Sequence, residues 1–506
     1  MAYVLAYDFG TGGIKASLYD EQGVCRADGF DAYPTLYPAQ GFHEQRPEAW
    51  WRATVASTRK LLAAMPGDTA EAVAGIGLSG HSLGVVPVDG SGRLLREAVP
   101  IWSDARPDTQ PATFFSAVPE TEWYLTTGGG FPPPLYSVFK LMWFRDREPE
   151  MFRRVHKILG TKDYINFRLT GVMATDHSYA SGSGVYDLKK RAYAPGLIEA
   201  SGLGSKIFPE IVPSTQVLGT LTEDAARELG LPQTVKVVAG GVDNACMSLG
   251  AGAFREGRAY NSLGSSSWIA VSSSSPLLDA VKRPYVFDHV VPGQYVSALA
   301  IFSAGTSFSW VREQLCRDLV ERAAREGGSA YRLMDEEAAT SPAGANGVLF
   351  NPTLAGGSSL DATPALRGAF LGLDLRHTRA DLLRAAMEGV ALGLRNVLDE
   401  LGRLAPVAEP LTLVGGGANS PLWRQICADV YHRAVVRTRA GQQAAALGAA
   451  AVAAVGTGLW SSFERVDEVS PVADRNEPDE AQAALYGRLL GRYKQASALL
   501  GAWALG

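Results

Sequence analysis

Apolar positions near the start of the chain follow the pattern of two short strands separated by a glycine-rich turn. Residues 4–9 and 14–19 are mostly apolar, and three glycines stand between them. Glycine permits positive φ and lets backbone N–H groups approach an anion closely. Asp8 precedes the turn, and Thr11 and Gly12 lie within it. The pattern predicts a hairpin that holds nucleotide phosphates, with an ordinary edge hairpin as the alternative.

The same strand, turn and strand pattern occurs a second time. Residues 258–271 have the pattern of a strand, a turn of small residues and a second strand, and Gly264 and Ser265 belong to the turn. A repeated hairpin that opens each half of the chain predicts two related α/β domains with a nucleotide in the cleft between them. The glycine-rich segment 250–257 is the expected join. We therefore predict domains over residues 1–250 and 251–506.

Helical spacing and capping residues predict several helices. Thr222 and Gly230 have the positions of a helix cap and stop, and Thr378 with Asp381 has the spacing of a capping box. Apolar residues recur at helical spacing after Thr378 and again in the tail from 478 to 503. These stripes predict buried faces, not cofactor contacts.

Composition narrows the classes of function. The chain has 506 residues, is 46% hydrophobic and carries a net charge of −5 without a basic run, which argues against nucleic acid as a partner. Its four cysteines are widely separated, so neither a zinc site nor a disulfide framework is indicated. The uncharged stretch 444–460 is short for a membrane span and is expected to be a buried helix. Since the N-terminus shows no signal peptide pattern, we expect a cytoplasmic protein without a membrane partner.

The best candidate for a catalytic group is Asp243. It follows the predicted strand 235–239 and a Gly-Gly turn, immediately before a helix. Phosphoryl transfer to an alcohol needs a carboxylate that orients the hydroxyl and accepts its proton. Asp is also a preferred N-cap residue, so a helix cap is the alternative role, and the two roles are compatible.

A second glycine loop lies late in the chain. The apolar strand 411–414 is followed by Gly415, Gly416 and Gly417, and then by Asn419 and Ser420. Glycines leave a flat slot suited to an adenine ring or a ribose, with Asn419 available for hydrogen bonds. A dinucleotide fingerprint would need glycine where Ser420 stands, which disfavours that alternative.

These motifs resemble, in order and over nearly the whole chain, those of the FGGY carbohydrate kinases, with xylulokinase-like members nearest. The matching segments are Gly-Ala-Phe-Leu-Gly-Leu at 368–373, Asp-Leu at 381–382, Ala-Ala-Met-Glu at 385–388, and the stretches 44–51, 102–106, 140–143, 161–164 and 414–418. The resemblance implies two ribonuclease-H-like domains of the actin, hexokinase and Hsp70 superfamily, which close on a sugar and ATP. It also implies Asp243 as general base and Mg²⁺-ATP beside Asp8 and Thr11. The further nucleotide contacts that it implies are Gly264, Ser265, Gly305, Ser309, Gly416 and Asn419.

The predicted sugar site departs from the family pattern. Xylulokinases usually have Gln where His81 stands and a Met-His pair where Ser82 and Leu83 stand. Likewise, Gly357-Ser358-Ser359 replaces a Gly-Glu-Arg segment. The candidate substrate contacts are His81, Ser82, Asp104 and Asp243. The alternative for His81 is a structural hydrogen bond, and the alternative for Asp104 is an exposed position in a loop. Because Leu83 lacks a donor, we expect a ketose or polyol other than D-xylulose to be preferred.

The predicted activity is ATP-dependent phosphorylation of a hydroxyl of a small sugar, such as a pentulose, or of a polyol. Its expected partners are that small molecule, ATP and Mg²⁺, and a homodimer is left open. Two alternatives are a chaperone-like or filament-forming ATPase of the same superfamily and a catalytically silent sugar-binding module. Asp8, Thr11 and Asp243 favour the kinase, although fold analogy alone does not establish function.

Overall fold

The computed structural model describes residues 1–505, which form two compact units. The first unit contains residues 1–256, 272–297 and 443–470, and the rest of the described chain forms the second. The chain therefore first leaves the first unit inside the predicted join at 250–257. It then returns to that unit twice, in residues 272–297 and 443–470. The predicted division into 1–250 and 251–506 places both of these segments in the second domain.

The strands are short, and many pair within two seven-stranded sheets. The strands before residue 257 are β1 Tyr3–Phe9, β2 Gly13–Asp20, β3 Cys25–Ala32, β4 Glu44–Gln45, β5 Val73–Gly80, β6 Val86–Val88, β7 Val99–Pro100, β8 Lys157–Leu159, β9 Ala174–Asp176, β10 Tyr186–Asp187, β11 Ala192–Tyr193, β12 Glu210–Val212, β13 Val217–Thr220, β14 Lys236–Val238 and β15 Gly241–Val242. The later strands are β16 Ala259–Leu263, β17 Ser267–Ser273, β18 Tyr285–Asp288, β19 Tyr295–Ile301, β20 Leu349–Asn351, β21 Ala369–Leu371, β22 Leu411–Val414, β23 Val435–Thr438 and β24 Val472–Asn476.

Helices alternate with these strands along the chain. The helices before residue 257 are α1 Pro47–Ala63, α2 Gln110–Phe115, α3 Glu120–Thr127, α4 Ser137–Arg147, α5 Pro149–Phe152, α6 Thr161–Thr170, α7 His177–Ala180, α8 Pro195–Ser201, α9 Glu223–Leu229 and α10 Asp243–Gly250. The later helices are α11 Gly305–Leu315, α12 Arg317–Glu326, α13 Ala330–Ala338, α14 Arg379–Leu404, α15 Pro421–Tyr431, α16 Ala444–Thr457, α17 Arg465–Val469 and α18 Glu480–Leu505.

The two main sheets repeat one scheme of strand pairing. In the first, β1 pairs antiparallel with β2 and parallel with β5, which is also parallel to β14, and β14 is antiparallel to β13. In the second, β16 pairs antiparallel with β17 and parallel with β22, which is parallel to β23, and β23 is antiparallel to β24. Each predicted glycine hairpin is therefore the first hairpin of its sheet. The prediction of two related α/β domains is confirmed.

The predicted helix ends are confirmed where a side chain caps the helix. The Thr222 hydroxyl accepts from the Ala225 N–H at the start of α9, and Gly230 ends that helix with φ of 74°. Thr378 and Asp381 form the predicted capping box of α14. Ser420 caps α15 by accepting from the Trp423 N–H. Each cap satisfies a backbone N–H that the first turn of a helix leaves without a partner.

The tail forms the predicted helix, α18, and Leu489 and Tyr493 are buried as predicted, but the buried face also includes Tyr486. Leu485 is only partly buried, whereas Tyr486 is 1% exposed. The Tyr486 hydroxyl donates to Glu388 Oε1 at 2.6 Å, and Arg384 Nε donates to the same oxygen at 2.8 Å. This buried polar contact with α14 explains why Tyr486 is buried, which the apolar periodicity of the tail does not reveal.

A close contact between two helices supports the part of the first unit that contains Asp243. Helix α16, predicted from the uncharged stretch 444–460, packs on α10, which begins at Asp243. Glycine is required at the contact: a Cβ on Gly448 would lie 1.9 Å from the Cys246 carbonyl oxygen, and one on Gly250 would lie 1.8 Å from that of Ala444. None of the helices within residues 1–505 combines the length and the apolar composition that a membrane span needs.

We predict that Gly448→Ala destabilises the first unit by about 3 kcal/mol, because the new methyl group would overlap backbone atoms of α10. Gly196→Ala is the matched control, since a Cβ at this position in α8 meets no atom within 4 Å. The control is expected to be neutral or slightly stabilising, because alanine has the higher helix propensity. Urea unfolding followed by circular dichroism measures both, and equal midpoints for the two variants would contradict the packing argument.

Candidate active site

Strand register brings the candidate residues of the first unit to one edge of its sheet. Asp8 in β1 lies beside Ser79 in β5, and Ser79 lies beside Gly241 in β15. Both β1 and β15 are parallel to β5, so their carboxyl ends meet at the same edge. Asp243 follows β15 directly and begins α10. Two carboxylates that are 235 positions apart in the sequence are thus brought close together.

The Asp243 side chain is half-buried and does not act as a helix cap. Val242 is the N-cap residue of α10, and Asp243 Oδ1 accepts from the adjacent Asn244 N–H at 2.8 Å. Burial, with the negative charge of Asp8 as a second cause, raises the pKa of Asp243 to about 7. A carboxylate with this pKa is a stronger base than an exposed aspartate and still ionises near neutral pH.

Asp8 is also half-buried, at the end of β1. Its Oδ1 accepts from the Ser79 hydroxyl at 2.8 Å. Burial raises the pKa of Asp8, while the charge of Lys15 and the Ser79 hydrogen bond oppose that shift. Lys15 lies opposite Asp8 in the β1–β2 hairpin. The hairpin therefore supplies both the carboxylate and a positive charge that favours its ionised form.

The glycine turn after β1 is held by side chains on its outer side. The Tyr33 hydroxyl donates to the Gly10 carbonyl at 2.7 Å, and Gln45 Nε2 donates to the Thr11 carbonyl at 2.7 Å. Trp102 Nε1 donates to Thr11 Oγ1 at 2.9 Å. Because that oxygen accepts from Trp102, the Thr11 hydroxyl can direct its own hydrogen to a ligand. Thr11 and Gly12 are exposed, as a phosphate contact requires.

His81 directly follows β5, the strand that pairs with both β1 and β15, and its side chain is 3% exposed. Its Nδ1 lies 3.3 Å from Thr161 Oγ1. Burial lowers the pKa of His81 to about 4, so the ring is neutral at pH 7. The contact with Thr161 is a structural hydrogen bond, which is the alternative role of His81. Its predicted substrate contact stays a prediction.

The neighbouring pair Ser82 and Leu83 is buried in a tight backbone turn. Leu83 has a φ of 62°, a conformation that non-glycine residues adopt at a cost. A Cβ on Gly182 would lie 3.1 Å from Leu83 Cδ2 and 3.2 Å from Phe287 Cε1, so the Leu83 side chain has apolar surroundings beside Gly182. The Gly357-Ser358-Ser359 segment lies in the second unit, where Ser358 N–H donates to Asp361 Oδ2 at 2.7 Å.

Asp104 is fully buried, so the alternative of an exposed loop carboxylate is wrong. Its Oδ2 accepts from the His43 N–H and from Arg106 Nη2, both at 2.7 Å, and its Oδ1 accepts from Arg106 Nε at 2.8 Å. Arg106 is itself buried and stacks on the ring of Phe42. A sugar hydroxyl would therefore have to share Asp104 with this ion pair.

In the second unit, the turn after β16 contacts the start of α11. The Gly305 N–H donates to the Gly264 carbonyl at 2.9 Å, and the Thr306 N–H donates to the Ser265 carbonyl at 3.0 Å. A Cβ on Gly305 would lie 2.4 Å from the Gly264 carbonyl oxygen, so this approach requires glycine. The structure thus brings Gly264, Ser265 and Gly305 together, although they are far apart in sequence.

The remaining predicted nucleotide contacts belong to neighbouring elements of the same unit. Gly416 and Asn419 are exposed at the two ends of a short 3-10 helix, Gly416–Asn419, which follows β22, the parallel neighbour of β16. Ser309 lies on α11, where its Oγ is 2.8 Å from the Tyr331 hydroxyl. Gly264 and Ser265 follow the carboxyl end of β16, and Gly416 and Asn419 follow that of β22. Gly305 and Ser309 belong to α11, which contacts the turn after β16. That edge is where open α/β sheets bind ligands.

Several residues that hold the candidate groups were not singled out from the sequence as functional. They include Ser79, Gln45 and Trp102, which contact Asp8 or Thr11. Ser79 lies two residues from the chemically distinctive His81, but only the strand register shows that it faces Asp8. Within the described chain, no group of three or more His, Cys, Asp and Glu side chains has the arrangement of a metal site.

Comparison with known proteins agrees with this architecture. The model of the N-terminal domain of the FGGY family of carbohydrate kinases matches residues 3–250, and that of the C-terminal domain matches residues 259–457. Two bacterial relatives named xylulose kinase match most of the chain. The one from Lactococcus lactis subsp. lactis (strain IL1403) is 32% identical over 471 residues, which cover 92% of this chain and 90% of the relative. The one from Escherichia coli (strain K12) is 30% identical over 484 residues, covering 95% and 96%.

Solved structures agree as well. The crystal structure of xylulose kinase from Rhodospirillum rubrum superposes with a TM-score of 0.87 at 29% identity and covers 100% of both chains. These full-length matches do not favour a chaperone-like or filament-forming ATPase or a silent sugar-binding module. Together with the paired sheets and their glycine turns, they show that the chain belongs to the FGGY family of carbohydrate kinases, ATP-dependent enzymes that phosphorylate sugars.

Proposed function

We propose that Asp243 is the general base that accepts the proton of a sugar hydroxyl as this oxygen bonds to the γ-phosphorus of ATP. The observation that supports the proposal best is the proximity of two half-buried carboxylates, one of which has a pKa raised to about 7. In the proposed step, the hydroxyl proton passes to the Asp243 carboxylate and the bond from phosphorus to the β–γ bridging oxygen breaks. ADP leaves, and the sugar phosphate remains.

The nucleotide would be held mainly by backbone groups and small side chains. In this proposal, the turn of the first unit contributes Thr11 and Gly12, whose exposure and hydrogen-bond partners suit a phosphate contact. The proposed contacts in the second unit are Gly264, Ser265, Gly305, Ser309, Gly416 and Asn419. Donors fixed in advance around the phosphates stabilise the charge that develops in phosphoryl transfer.

The donor chemistry around Asp8 fits Mg²⁺. The nearby groups are carboxylate and hydroxyl oxygens, from Asp8, Asp243 and Ser79, and hard oxygen ligands are those that Mg²⁺ prefers. Mg²⁺ commonly keeps several waters and uses one or two carboxylates together with substrate phosphates. We propose that Asp8 anchors the ion through water. When bound, the ion would neutralise charge on the phosphates.

The proposed acceptor is a hydroxyl group of a small ketose, such as a pentulose, or of a polyol. Relatives named xylulose kinase support a pentulose. The proposed sugar contacts are Asp243, His81, Ser82 and Asp104. Leu83, beside Ser82, is buried and has no hydrogen-bond donor in its side chain. This supports a preference for a ketose or polyol other than D-xylulose. A cytoplasmic location and a homodimer stay predictions from the sequence.

We predict that Asp243→Asn lowers kcat by about 10²-fold or more, because an amide cannot take up the proton of the sugar hydroxyl. Binding of ATP is expected to persist, since other segments hold the nucleotide. Release of ADP in the presence of sugar measures kcat, and calorimetry measures ATP binding. Asp224→Asn is the matched control: Asp224 is also in the first turn of a helix of the first unit but is exposed. Near-normal turnover in Asp243→Asn would disprove the base assignment.

We predict that Asp8→Asn lowers kcat by about tenfold or more and that saturating sugar does not restore it, because the change removes a charge that serves the metal and phosphates. The amide oxygen can still accept from Ser79, so the local structure is kept. Asp28→Asn, an exposed change in the same sheet, is the control. The dependence of rate on Mg²⁺ concentration is the measurement, and an unchanged dependence would exclude the metal role of Asp8.

We predict that, in a panel of ketoses, aldoses and polyols, the highest kcat/KM belongs to a ketose or polyol other than D-xylulose. A tenfold advantage corresponds to about 1.4 kcal/mol of transition-state binding, which one hydrogen bond to a charged group can supply. The ADP-release assay ranks the panel. If D-xylulose ranks first, the inference from Leu83 is wrong, and His81 becomes the first residue to substitute.

A further inference from the structure

A cluster of charged side chains is completely buried behind the candidate active site. Lys162, Asp163 and Asp176 are at most 1% exposed. Lys162 Nζ lies 2.8 Å from Asp176 Oδ1 and 2.5 Å from Asp163 Oδ1. Burial disfavours the charged form of Lys162, but the two carboxylates outweigh it and raise the lysine's pKa above its ordinary value. The cluster is therefore a fixed set of charges inside the first unit.

Lys162 holds the beginning of the glycine turn that leads to Asp243. Its Nζ donates to the Ala239 carbonyl at 3.1 Å, and Asn166 Nδ2 donates to the same carbonyl at 2.8 Å. Both donors lie on α6, and both are buried. The last carbonyl before Gly240 thus accepts two hydrogen bonds from one helix.

Ser178 holds the end of the same turn. Its Oγ accepts from the Val242 N–H at 2.9 Å, and Val242 immediately precedes Asp243. The Ser178 hydroxyl donates in turn to Asp176 Oδ2. Since Asp176 Oδ1 pairs with Lys162, the one carboxylate of Asp176 links the contacts at both ends of the turn.

The turn between these two contacts has little freedom to adjust. Gly240 has a φ of 74°, and a Cβ there would lie 2.2 Å from the Leu78 carbonyl oxygen. A Cβ on Gly241 would lie 2.2 Å from Val290 Cγ1. Because only glycine fits at both positions, neighbouring atoms confine the turn to a narrow path, and the contacts at Ala239 and Val242 fix its two ends.

A buried ion pair is a costly way to gain stability, because the desolvation of the charges offsets much of their attraction. Charged groups do hold hydrogen-bond partners in narrow geometry, which is what a catalytic carboxylate needs from its supporting residues. We propose that Lys162, Asp176 and Ser178 form a clamp on the glycine turn that positions Asp243 for catalysis. Ser178 is a positioning residue, because it acts through the backbone of Val242. This inference rests on the proposed role of Asp243.

The test compares Ser178→Ala with Ser214→Ala. Ser214 Oγ donates to the same oxygen of Asp176 at 2.8 Å and is also buried, but it does not bind the Val242 N–H. Ser214 contacts the turn only through its backbone carbonyl, which accepts from the Gly240 N–H at 3.0 Å and which the substitution to alanine leaves in place. Each variant removes one hydroxyl from Asp176, so we expect similar decreases in Tm. Only Ser178→Ala is expected to lower kcat, by about tenfold or more, with KM for ATP and sugar within about twofold of the parent. Equal kcat in the two variants would overturn the clamp.

A double variant separates this inference from the proposed function. If Ser178 acts through Asp243, Ser178→Ala should have little further effect on kcat in an Asp243→Asn background. Full additivity of the two losses would overturn the positioning role. Near-normal turnover of Asp243→Asn alone would instead disprove the proposed function, whatever Ser178→Ala does.

Should Ser178→Ala fail to fold, as judged by circular dichroism and gel filtration, Ser178→Cys provides the same test. Cysteine has nearly the same shape, and its thiol is a weak donor and a weak acceptor. The expected result is again a lower kcat at unchanged KM. A Ser178→Cys enzyme with the kcat of Ser214→Ala would overturn the inference.

Discussion

The parallel pairing of β5 with both β1 and β15 is the constraint on which the candidate active site depends. One strand sets the register of two neighbours that come from opposite ends of the first 250 residues, and so fixes where Asp8 and Asp243 emerge. The side chains add detail to this arrangement but do not create it. A slip of one residue in either pairing would turn the carboxylate to the other face of the sheet.

The same arrangement creates an electrostatic cost that the fold offsets locally. Two half-buried carboxylates repel each other, and burial disfavours both of their charges. Asp8 has the Ser79 hydroxyl and the charge of Lys15 as compensation. Asp243 has only backbone N–H groups as compensation, and burial together with the charge of Asp8 raises its pKa to about 7. The two neighbouring carboxylates thus have different hydrogen-bond partners, which is the kind of difference by which proteins separate acid and base roles.

Much of the fold could be predicted from the sequence because its signals are local. Glycine turns between apolar segments, a Thr or Ser cap and a capping box each involve residues within a few positions of one another, and those elements are present. The burial of Asp104 could not be predicted in this way, because it depends on packing around Arg106 and Phe42. Ser79 and Ser178 were missed for a related reason: their importance appears only when strand register or tertiary contact places them beside Asp8 and Val242.

The return of residues 443–470 to the first unit has a consequence for how the chain is made. Helix α10, which begins with Asp243, ends at Gly250, whereas its packing partner α16 begins at Ala444. At typical rates of protein synthesis, the roughly 190 intervening residues take about 10–40 s to emerge. During that interval the surface of α10 shaped by Gly250 has no partner helix. The first 256 residues are therefore synthesised before the first unit can be completed, and a nascent chain stopped before residue 444 would lack the helix that packs on α10.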